Sequence, residues 1–316
     1  MHDPHHIPVL LNEVVEVLAP RDGAVYVDAT FGAGGYSRAL LEAADCTVWG
    51  IDRDPEAAAA GNRLAESYGH RLTVLKGRFG DMRALLEGVG VSQVDGIALD
   101  LGVSSMQIDD PGRGFSFRAD GPLDMRMDKD GMSAADAVNR LAEKELADII
   151  YQYGEERASR KIARAIVELR EQSPITRTSQ LANVVRSVVR RSKDGIDPAT
   201  RTFQALRIYV NEELAELDRG LAAAATLLGE GGRLAAVSFH SLEDRRLKTF
   251  FQERSGAGPA PSRHLPMAEH ADATIFRVPE KRGRIPGDAE VRANPRARSA
   301  RLRWGIRTAA PLPVAA

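Results

Sequence analysis

Four short apolar runs, each followed by a predicted helix or a glycine-rich segment, constrain the first hundred residues most strongly. The runs are Val25–Thr30, Thr47–Ile51, Leu72–Leu75 and Val94–Asp100. The predicted helices between them are Ser37–Ala44, Glu56–Ser67 and Asp81–Leu86. Strands that are apolar on both faces need cover on both faces, and helices between parallel strands provide it. This part of the chain therefore predicts an α/β fold with a parallel sheet.

The alternation stops after Asp100 and resumes late in the chain. Residues 102–130 are rich in Gly, Asp, Arg and Met without a period, and long irregular segments are usually functional. Predicted helices follow at Ala134–Leu141, Glu143–Tyr153, Arg157–Glu171, Ser179–Arg191 and Thr202–Leu228. The strand pattern returns at Arg233–Phe239, then a helix at Leu242–Glu253 and strands at Ile275–Val278 and Arg301–Ile306. We therefore predict an α/β domain from residues 1–104 and 198–308, an inserted helical domain at 105–197, and a disordered tail at 309–316.

A glycine cluster follows the first predicted strand. The sequence there is Asp28-Ala-Thr-Phe-Gly-Ala-Gly-Gly, and Asp52 ends the second strand twenty residues after Gly32. Glycines let a backbone approach a ligand closely, and a carboxylate after the second strand can accept hydrogen bonds from a ribose diol. The third glycine of the dinucleotide fingerprint is absent, and Asp28 would repel a pyrophosphate. The pattern favours a nucleoside ligand that carries positive charge, such as S-adenosylmethionine, over a tight turn without a ligand.

Composition excludes several classes of protein. No apolar run reaches the ~18 residues that a membrane span needs, and the single cysteine, Cys46, cannot form an internal disulfide. We therefore expect a cytoplasmic protein without a membrane partner. His2, His5 and His6 could suggest a metal, but we expect none, because a flexible N-terminus is the context expected for His2 and His5.

Charge is distributed unevenly although its sum is −1. Residues 1–60 hold ten acids and three Lys or Arg, whereas residues 157–207 hold twelve Lys or Arg and four acids, and residues 277–307 hold ten and three. The asymmetry indicates a polyanionic partner or solvated helix faces. Helical spacing places Arg157, Arg160, Lys161 and Arg164 on neighbouring turns, as a phosphate-binding face or a solvated one.

Six ordered motifs resemble one family closely. They begin at Asp100 (DLGVSS), Arg113 (RGFSF), Gly121 (GPLDMRM), Thr200 (TRTFQALRI), Ser238 (SFHSLEDR) and Asn294 (NPRARS), and the likeness runs from about His6 to Arg307. The family is that of the ribosomal RNA small-subunit methyltransferase H proteins, formerly MraW. The resemblance implies a class I, Rossmann-like methyltransferase sheet with an inserted helical domain that recognises RNA. It also implies methyl transfer from S-adenosyl-L-methionine to N4 of a cytidine in the decoding (P-site) region of 16S rRNA.

The resemblance assigns cofactor contacts by matching motifs. They are Gly34, Gly35, Tyr36, Asp52, Phe79, Asp100 and Gln107. Two positions depart from the family pattern, since Tyr36 stands where many members have His and Met106 where many have Pro. We expect Tyr36 to contribute its backbone.

The expected chemistry needs no metal, since the donor methyl is already activated. Asp100 is the candidate catalytic acceptor for the cytosine amine, although it could instead only bind cofactor. The target base must leave its stack to reach the site, and Phe115, Phe117 and Phe239 could sandwich it. His240 lies at the ligand edge after the fifth strand, so we expect Phe239 and His240 to contact substrate. We place both with Asp100 among the candidate catalytic residues.

Several charged residues are candidates for contact with RNA. Arg113, Asp124 and Arg126 lie in the irregular segment, where Asp124 and Arg126 could equally form an ion pair that shapes it. The candidates for phosphate contact are Arg201, Arg207, Arg296, Arg298 and Arg303. The expected partner is 16S rRNA or the small ribosomal subunit, and the oligomeric state is left open, with a dimer as one candidate.

Three other functions remain open on the residues alone. They are a nicotinamide-dependent oxidoreductase, a methyltransferase that acts on another nucleic acid or on protein, and a non-catalytic RNA-binding assembly factor.

Overall fold

The chain forms two compact units. The computed structural model describes residues 8–191, 195–256 and 274–312, so residues 313–316 of the expected tail lie outside the described residues. The first unit contains Met1–Gly102 and Ala215–Ala316, and the second contains Val103–Leu214.

A seven-stranded sheet forms the centre of the first unit within the described residues. Its strands are β1 (Val25–Asp28), β2 (Thr47–Asp52), β3 (Leu72–Lys76), β4 (Val94–Asp100), β5 (Leu228–Ser238), β6 (Phe276–Arg277) and β7 (Arg301–Arg307). Their order is β3-β2-β1-β4-β5-β7-β6. Strands β1 to β5 pair in parallel, and β7 is antiparallel to both β5 and β6. The predicted parallel sheet is confirmed, and the reversal of β7 is added to it.

Helices cover the sheet on both faces. In this unit they are α1 (Leu11–Leu18), α2 (Gly35–Ala43), α3 (Pro55–Tyr68), α4 (Met82–Glu87), α11 (Glu213–Leu227), α12 (Ser241–Arg254) and α13 (Asp288–Ala293). Neighbouring residues of one strand enter two separate apolar clusters, as the alternation of side chains requires. Tyr26 packs with the cluster that contains Val14 and Leu40, whereas Val27 packs with the cluster that contains Met82.

The second unit is helical. Its helices are α5 (Ser105–Asp109), α6 (Ala134–Arg140), α7 (Glu143–Gly154), α8 (Ser159–Arg170), α9 (Thr178–Val188) and α10 (Ala199–Asn211). Helix α10 belongs here because Ala199, Phe203 and Leu206 are buried in the apolar core of this unit. The boundary that the sequence predicted at residue 198 therefore differs from the observed one after Leu214.

The prediction of one helix over Thr202–Leu228 was wrong. Helix α10 ends at Asn211, Glu212 adopts a left-handed backbone with φ 55°, and α11 begins at Glu213. The buried amide of Asn211 accepts a hydrogen bond from Met127 N at 2.9 Å and donates one to the Met125 carbonyl at 2.7 Å. A tertiary contact thus fixes the end of α10, and the helical pattern of the sequence continues through it.

Strand β5 begins earlier than predicted. Val94 pairs with Leu228 and Gly96 with Arg233, so the glycine-rich segment between Leu228 and Arg233 forms a bulge in the strand. Regular pairing from Arg233 onward matches the predicted strand. None of the helices in the described part of the chain is long and apolar enough to cross a membrane.

Candidate active site

Three acidic residues end three adjacent strands of the sheet. Asp28 ends β1, the middle strand of the three, and pairs in register with Gly50 of β2 and Ala98 of β4. Asp52 and Asp100 therefore lie two residues further along the neighbouring strands. The carboxyl ends of parallel strands share one edge, where open α/β sheets bind ligands.

Asp28 is buried, with 1% of its surface exposed. Its Oδ2 accepts hydrogen bonds from the Ser37 backbone N at 3.1 Å and Oγ at 2.7 Å. Its Oδ1 is buried and has no hydrogen-bond partner among the described residues. Burial raises the pKa of Asp28 to about 6, although the Ser37 hydrogen bonds act to lower it.

Asp52 connects the glycine loop to the turn after β2. Its Oδ2 accepts a hydrogen bond from Gly32 N at 2.7 Å, and its Oδ1 accepts one from Asp54 N at 2.8 Å. Burial raises the pKa of Asp52 to about 6, and the two backbone N–H groups oppose that rise.

Asp100 has the most unfavourable surroundings for a negative charge. Its backbone N donates to Thr30 Oγ1 at 2.6 Å, and its Oδ1 is buried without a partner in the described structure. Burial, together with the nearby carboxylates of Asp28 and Glu243, raises its pKa to about 8. Buried carboxyls without a cationic partner favour the bound proton, so the edge of the sheet is suited to a positively charged ligand.

The predicted glycine loop forms the turn into α2. Gly34 has φ 75°, and a Cβ there would lie 2.6 Å from Phe31 Cζ. A Cβ on Gly35 would lie 2.0 Å from Pro8 Cγ. Both positions therefore exclude larger side chains for reasons of packing alone, whatever ligand contacts they also make.

Tyr36 has a structural side chain. Its ring is 3% exposed, and its hydroxyl donates to the Val9 carbonyl at 2.5 Å. The side chain therefore connects the segment before α1 to α2, and the predicted contact of the Tyr36 backbone with a cofactor stays a prediction.

Phe79 lies after β3 and packs against α11. A Cβ on Gly220 would lie 2.5 Å from Phe79 Cδ2, so the glycine makes room for the ring. One turn earlier on α11, Glu216 forms a buried ion pair with Arg53, at 2.8 Å from Nη1 to Oε2. The Gly80 backbone N–H also interacts with the Glu216 carboxylate and acts to lower its pKa, which burial raises. Glu216 thus links the residue after Asp52 to the turn that carries Phe79.

Phe239 and His240 follow β5, and Glu243 fixes their backbone. Glu243 Oε2 accepts hydrogen bonds from Phe239 N at 2.8 Å and from His240 N at 3.3 Å. In return, His240 Nδ1 accepts one from Glu243 N at 3.4 Å, which makes a reciprocal cap at the start of α12. His240 Nε2 lies 3.1 Å from Glu243 Oε1, outside hydrogen-bond geometry.

Gln107 lies in the helical unit, where it is 5% exposed. Its Oε1 accepts from Ser104 N at 3.0 Å and its N donates to Ser104 Oγ at 3.2 Å, so the two residues cap α5. Its predicted contact with the cofactor stays a prediction.

The irregular segment of the helical unit is held by internal bonds. Arg113 is 7% exposed and donates to the carbonyls of Arg126 and Met127 at 3.0 and 2.9 Å. Its guanidinium also lies 5.8 Å from the centre of the buried Phe115 ring. Arg126 Nε and Nη2 each donate to Asp124 at 2.8 Å. This geometry favours the ion pair that shapes the segment, and it gives Arg113 and Phe115 internal roles as well.

The remaining arginine candidates fall into two groups. Arg207 donates to Glu213 through two bonds of 2.8 Å, and Arg303, in the first unit, donates to Asp244 at 2.6 and 3.1 Å. Arg201, Arg296 and Arg298 are exposed. Of these candidates, only the second group presents its cations to solvent. His2, His5 and His6 lie outside the described residues.

The sequence analysis missed three positioning residues: Glu216, Glu243 and Asn211. The spacing of His240 and Glu243 matches a capping box with an unusual first residue, so this one was accessible from the pattern. Glu216 and Asn211 act over sequence separations of 163 and 84 residues, and local patterns carry no trace of such contacts.

The sheet order, the single reversed strand, the glycine turn after β1 and the acid that ends β2 together define a class I, Rossmann-like methyltransferase fold. The chain belongs to the MraW methylase family, whose sequence model matches residues 3–308. The resemblance that the motifs indicated is thereby confirmed.

Two relatives show how close the likeness is. The ribosomal RNA small subunit methyltransferase H of Rhodospirillum centenum is 66% identical over 97% of this chain and 93% of its own. The protein of the same name from Paramagnetospirillum magneticum is 62% identical over 97% of this chain and 96% of its own.

The titration of Asp100 predicts how stability depends on pH. Because its pKa is raised to about 8 in the folded state, from an ordinary value of 3.8, the unfolded state loses this proton first. The contribution of Asp100 to the free energy of unfolding therefore falls as the pH rises from about 4 to about 8. We expect Asp100→Asn to raise the melting temperature of the ligand-free protein, and to raise it more at pH 8 than at pH 5. A gain that is equal at both pH values would contradict the assignment.

The buried Arg53–Glu216 pair predicts a contrast between two variants of α11. Glu216→Gln removes the acid of the buried Arg53–Glu216 ion pair, and breaking a buried pair typically costs about 3–5 kcal/mol. Asp218→Asn removes an acid from the exposed pair with Arg246, and such pairs contribute about 0–1 kcal/mol. Thermal unfolding should show a drop of several degrees for the first variant only, and similar melting temperatures for both would refute the role of Glu216.

Proposed function

We propose that the protein transfers a methyl group from S-adenosyl-L-methionine to N4 of a cytidine in the decoding (P-site) region of 16S rRNA. The observation that carries the proposal is the set of three carboxyls at adjacent strand ends, two of which have a buried oxygen without a partner among the described residues. The names of the relatives, which are small-subunit rRNA methyltransferases, support the substrate class.

The residues at this edge fit such a cofactor. Asp28 Oδ1 and Asp100 Oδ1 are the unpartnered acceptors that a cationic ligand would satisfy. Asp52 would accept the ribose hydroxyls with the lone pairs that its backbone bonds leave unused. Gly34 and Gly35 would allow close approach of the backbone, and the Phe79 ring would face the adenine. When bound, S-adenosylmethionine supplies a methyl group already activated by its sulfonium.

Asp100 is the residue that would act on the target amine. Its carboxylate would accept a hydrogen bond from the cytosine N4 amine, which localises the nitrogen lone pair, and would then take the proton that the methylated amine releases. Its pKa of about 8 in the empty site would fall beside a bound cation, because an opposite charge favours the carboxylate. Most of the rate gain would come from holding the amine nitrogen in line with the methyl group.

Phe239 and His240 would position the base. His240 Nδ1 already accepts the Glu243 N–H, so this nitrogen is not available as a base, and we assign His240 to substrate contact rather than to proton abstraction. Glu243 would act through the backbone of both residues as a positioning residue.

The helical unit would provide RNA recognition, and the exposed Arg201, Arg296 and Arg298 would contact phosphates. Other candidates would contribute indirectly, by shaping the segments of the helical unit through internal contacts. They are Arg113, Phe115, Asp124, Arg126 and Arg207. A ribosomal substrate would place the reaction in the cytoplasm, with the small ribosomal subunit as partner.

The test is reconstituted methylation of RNA that lacks the modification. We expect the protein to transfer labelled methyl from S-adenosylmethionine to 16S rRNA or small subunits from a strain without this enzyme, with N4-methylcytidine as the product in nucleoside mass spectrometry. Asp100→Asn should lower turnover by at least about 100-fold, as expected for loss of a residue that acts in proton transfer.

The matched control is Asp95→Asn, which changes a carboxyl near the opposite end of β4 and should leave turnover unchanged. Methyl on another nucleoside would refute the proposed specificity. Binding of RNA and cofactor without turnover would instead support the assembly factor.

A further inference from the structure

One face of α8 carries a run of exposed cations. Arg157 precedes the helix, and Arg160, Lys161 and Arg164 lie on it, all of them exposed. Their spacing of three, four and seven residues places them on one side of a helix, and they extend over about 10 Å.

Arg201 reaches the same region from α10. Its Nη1 lies 3.7 Å from Oε2 of the buried Glu156, whose Oε1 accepts the Ala158 N–H at 2.8 Å. The Arg201 side chain is 54% exposed. We call Arg157, Arg160, Lys161, Arg164 and Arg201 the α8 basic face.

Four other exposed cations of the helical unit are paired with acids, whereas Arg118 and Arg190 are exposed and do not belong to these pairs. Arg140 lies 2.9 Å from Asp136, and Lys144 lies 2.9 Å from Asp148. Similar pairs join Arg177 to Asp120 at 2.6 Å and Arg186 to Asp197 at 2.8 Å.

The α8 basic face differs from these pairs. Within the described residues, no side-chain hydrogen bond or ion pair engages Arg157, Arg160 or Lys161. Arg164 has only a long contact of 3.9 Å with Glu143. Among the described residues, the positive charge of this face is therefore only partly offset, by Glu143 and Glu156.

This arrangement is unfavourable for the helix itself. Like charges three and four residues apart repel each other, and Arg160 and Lys161 lie in the first turn, where positive charge opposes the helix dipole. No acid in that turn offsets them. A polyanion bound outside the helix would remove both penalties.

The chemistry of the face favours RNA over an acidic protein. The exposed positions of α8 are Arg160, Lys161, Arg164 and Glu168, with no large apolar side chain among them. Protein interfaces are centred on apolar and aromatic residues and are depleted of charge at their core. Arginine and lysine side chains without base-reading partners are typical of phosphate contacts.

We propose that the α8 basic face binds the phosphate backbone of the RNA substrate and fixes its position without reading its sequence. The inference rests on the proposed function and extends it by assigning the contact surface. Neutralising this face should weaken RNA binding and raise the KM for RNA, while kcat and cofactor affinity stay at the wild-type level.

The experiment compares two double variants that each remove one arginine and one lysine. Arg160→Gln with Lys161→Gln alters the proposed face, and Arg140→Gln with Lys144→Gln removes cations whose side chains are 74% and 88% exposed elsewhere in the same unit. Binding of in vitro transcribed 16S rRNA is measured by fluorescence anisotropy against salt concentration. We expect the first variant to reduce the magnitude of the slope of log K against log salt by about 1.5, where K is the association constant for RNA. The control should keep the wild-type slope within error.

Each outcome decides a separate point. Equal slopes for both variants and the wild type would overturn the proposed surface while the proposed function stands. An equal loss in both variants would show that only total charge matters, which also overturns it. The first variant could instead bind naked rRNA as tightly as the wild type does but bind small subunits more weakly. That result would assign the face to contact with a ribosomal protein and overturn the proposal. Absence of binding by the wild-type protein to both naked 16S rRNA and small subunits would refute the proposed function itself.

Discussion

Negative charge is incompletely compensated at the carboxyl edge of the sheet. Three carboxyls occupy the ends of β1, β2 and β4, and burial raises the pKa of all three. The protein satisfies part of their hydrogen-bonding capacity with backbone N–H groups and with Ser37. It leaves one buried oxygen on Asp28 and one on Asp100 without a partner in the described structure. A cationic ligand is the simplest group that would stabilise this arrangement.

The surrounding chain holds these acids and their neighbours in place. Glu216 joins the turns that follow β2 and β3 through Arg53, and Glu243 fixes the backbone after β5. Neither residue needs to contact a ligand to act, since each one holds other residues. In the helical unit, Asn211 and Arg113 perform the same task for the irregular segment. Buried polar groups therefore fix the turns and irregular segments of each unit.

Much of the fold was accessible from the sequence because local patterns encode it. The apolar runs predicted β1 to β4, and the strand pattern also predicted that Asp28 and Asp52 lie at the carboxyl ends of β1 and β2. Features that depend on distant contacts were not accessible. The break after Asn211 is one example, because it depends on a hydrogen bond to Met127, and the bulge after Leu228 is another. Sequence also could not separate arginines that bind internal partners, such as Arg113 and Arg207, from exposed ones, such as Arg201.

We propose that the edge of the sheet at Asp28, Asp52 and Asp100 selects a cationic methyl donor over a redox dinucleotide. Titration calorimetry of the purified protein with S-adenosylmethionine and with NAD distinguishes the two ligands. We expect one binding site for S-adenosylmethionine and no detectable heat with NAD under the same conditions. Binding of NAD with equal or higher affinity, or absence of binding by S-adenosylmethionine, would contradict it.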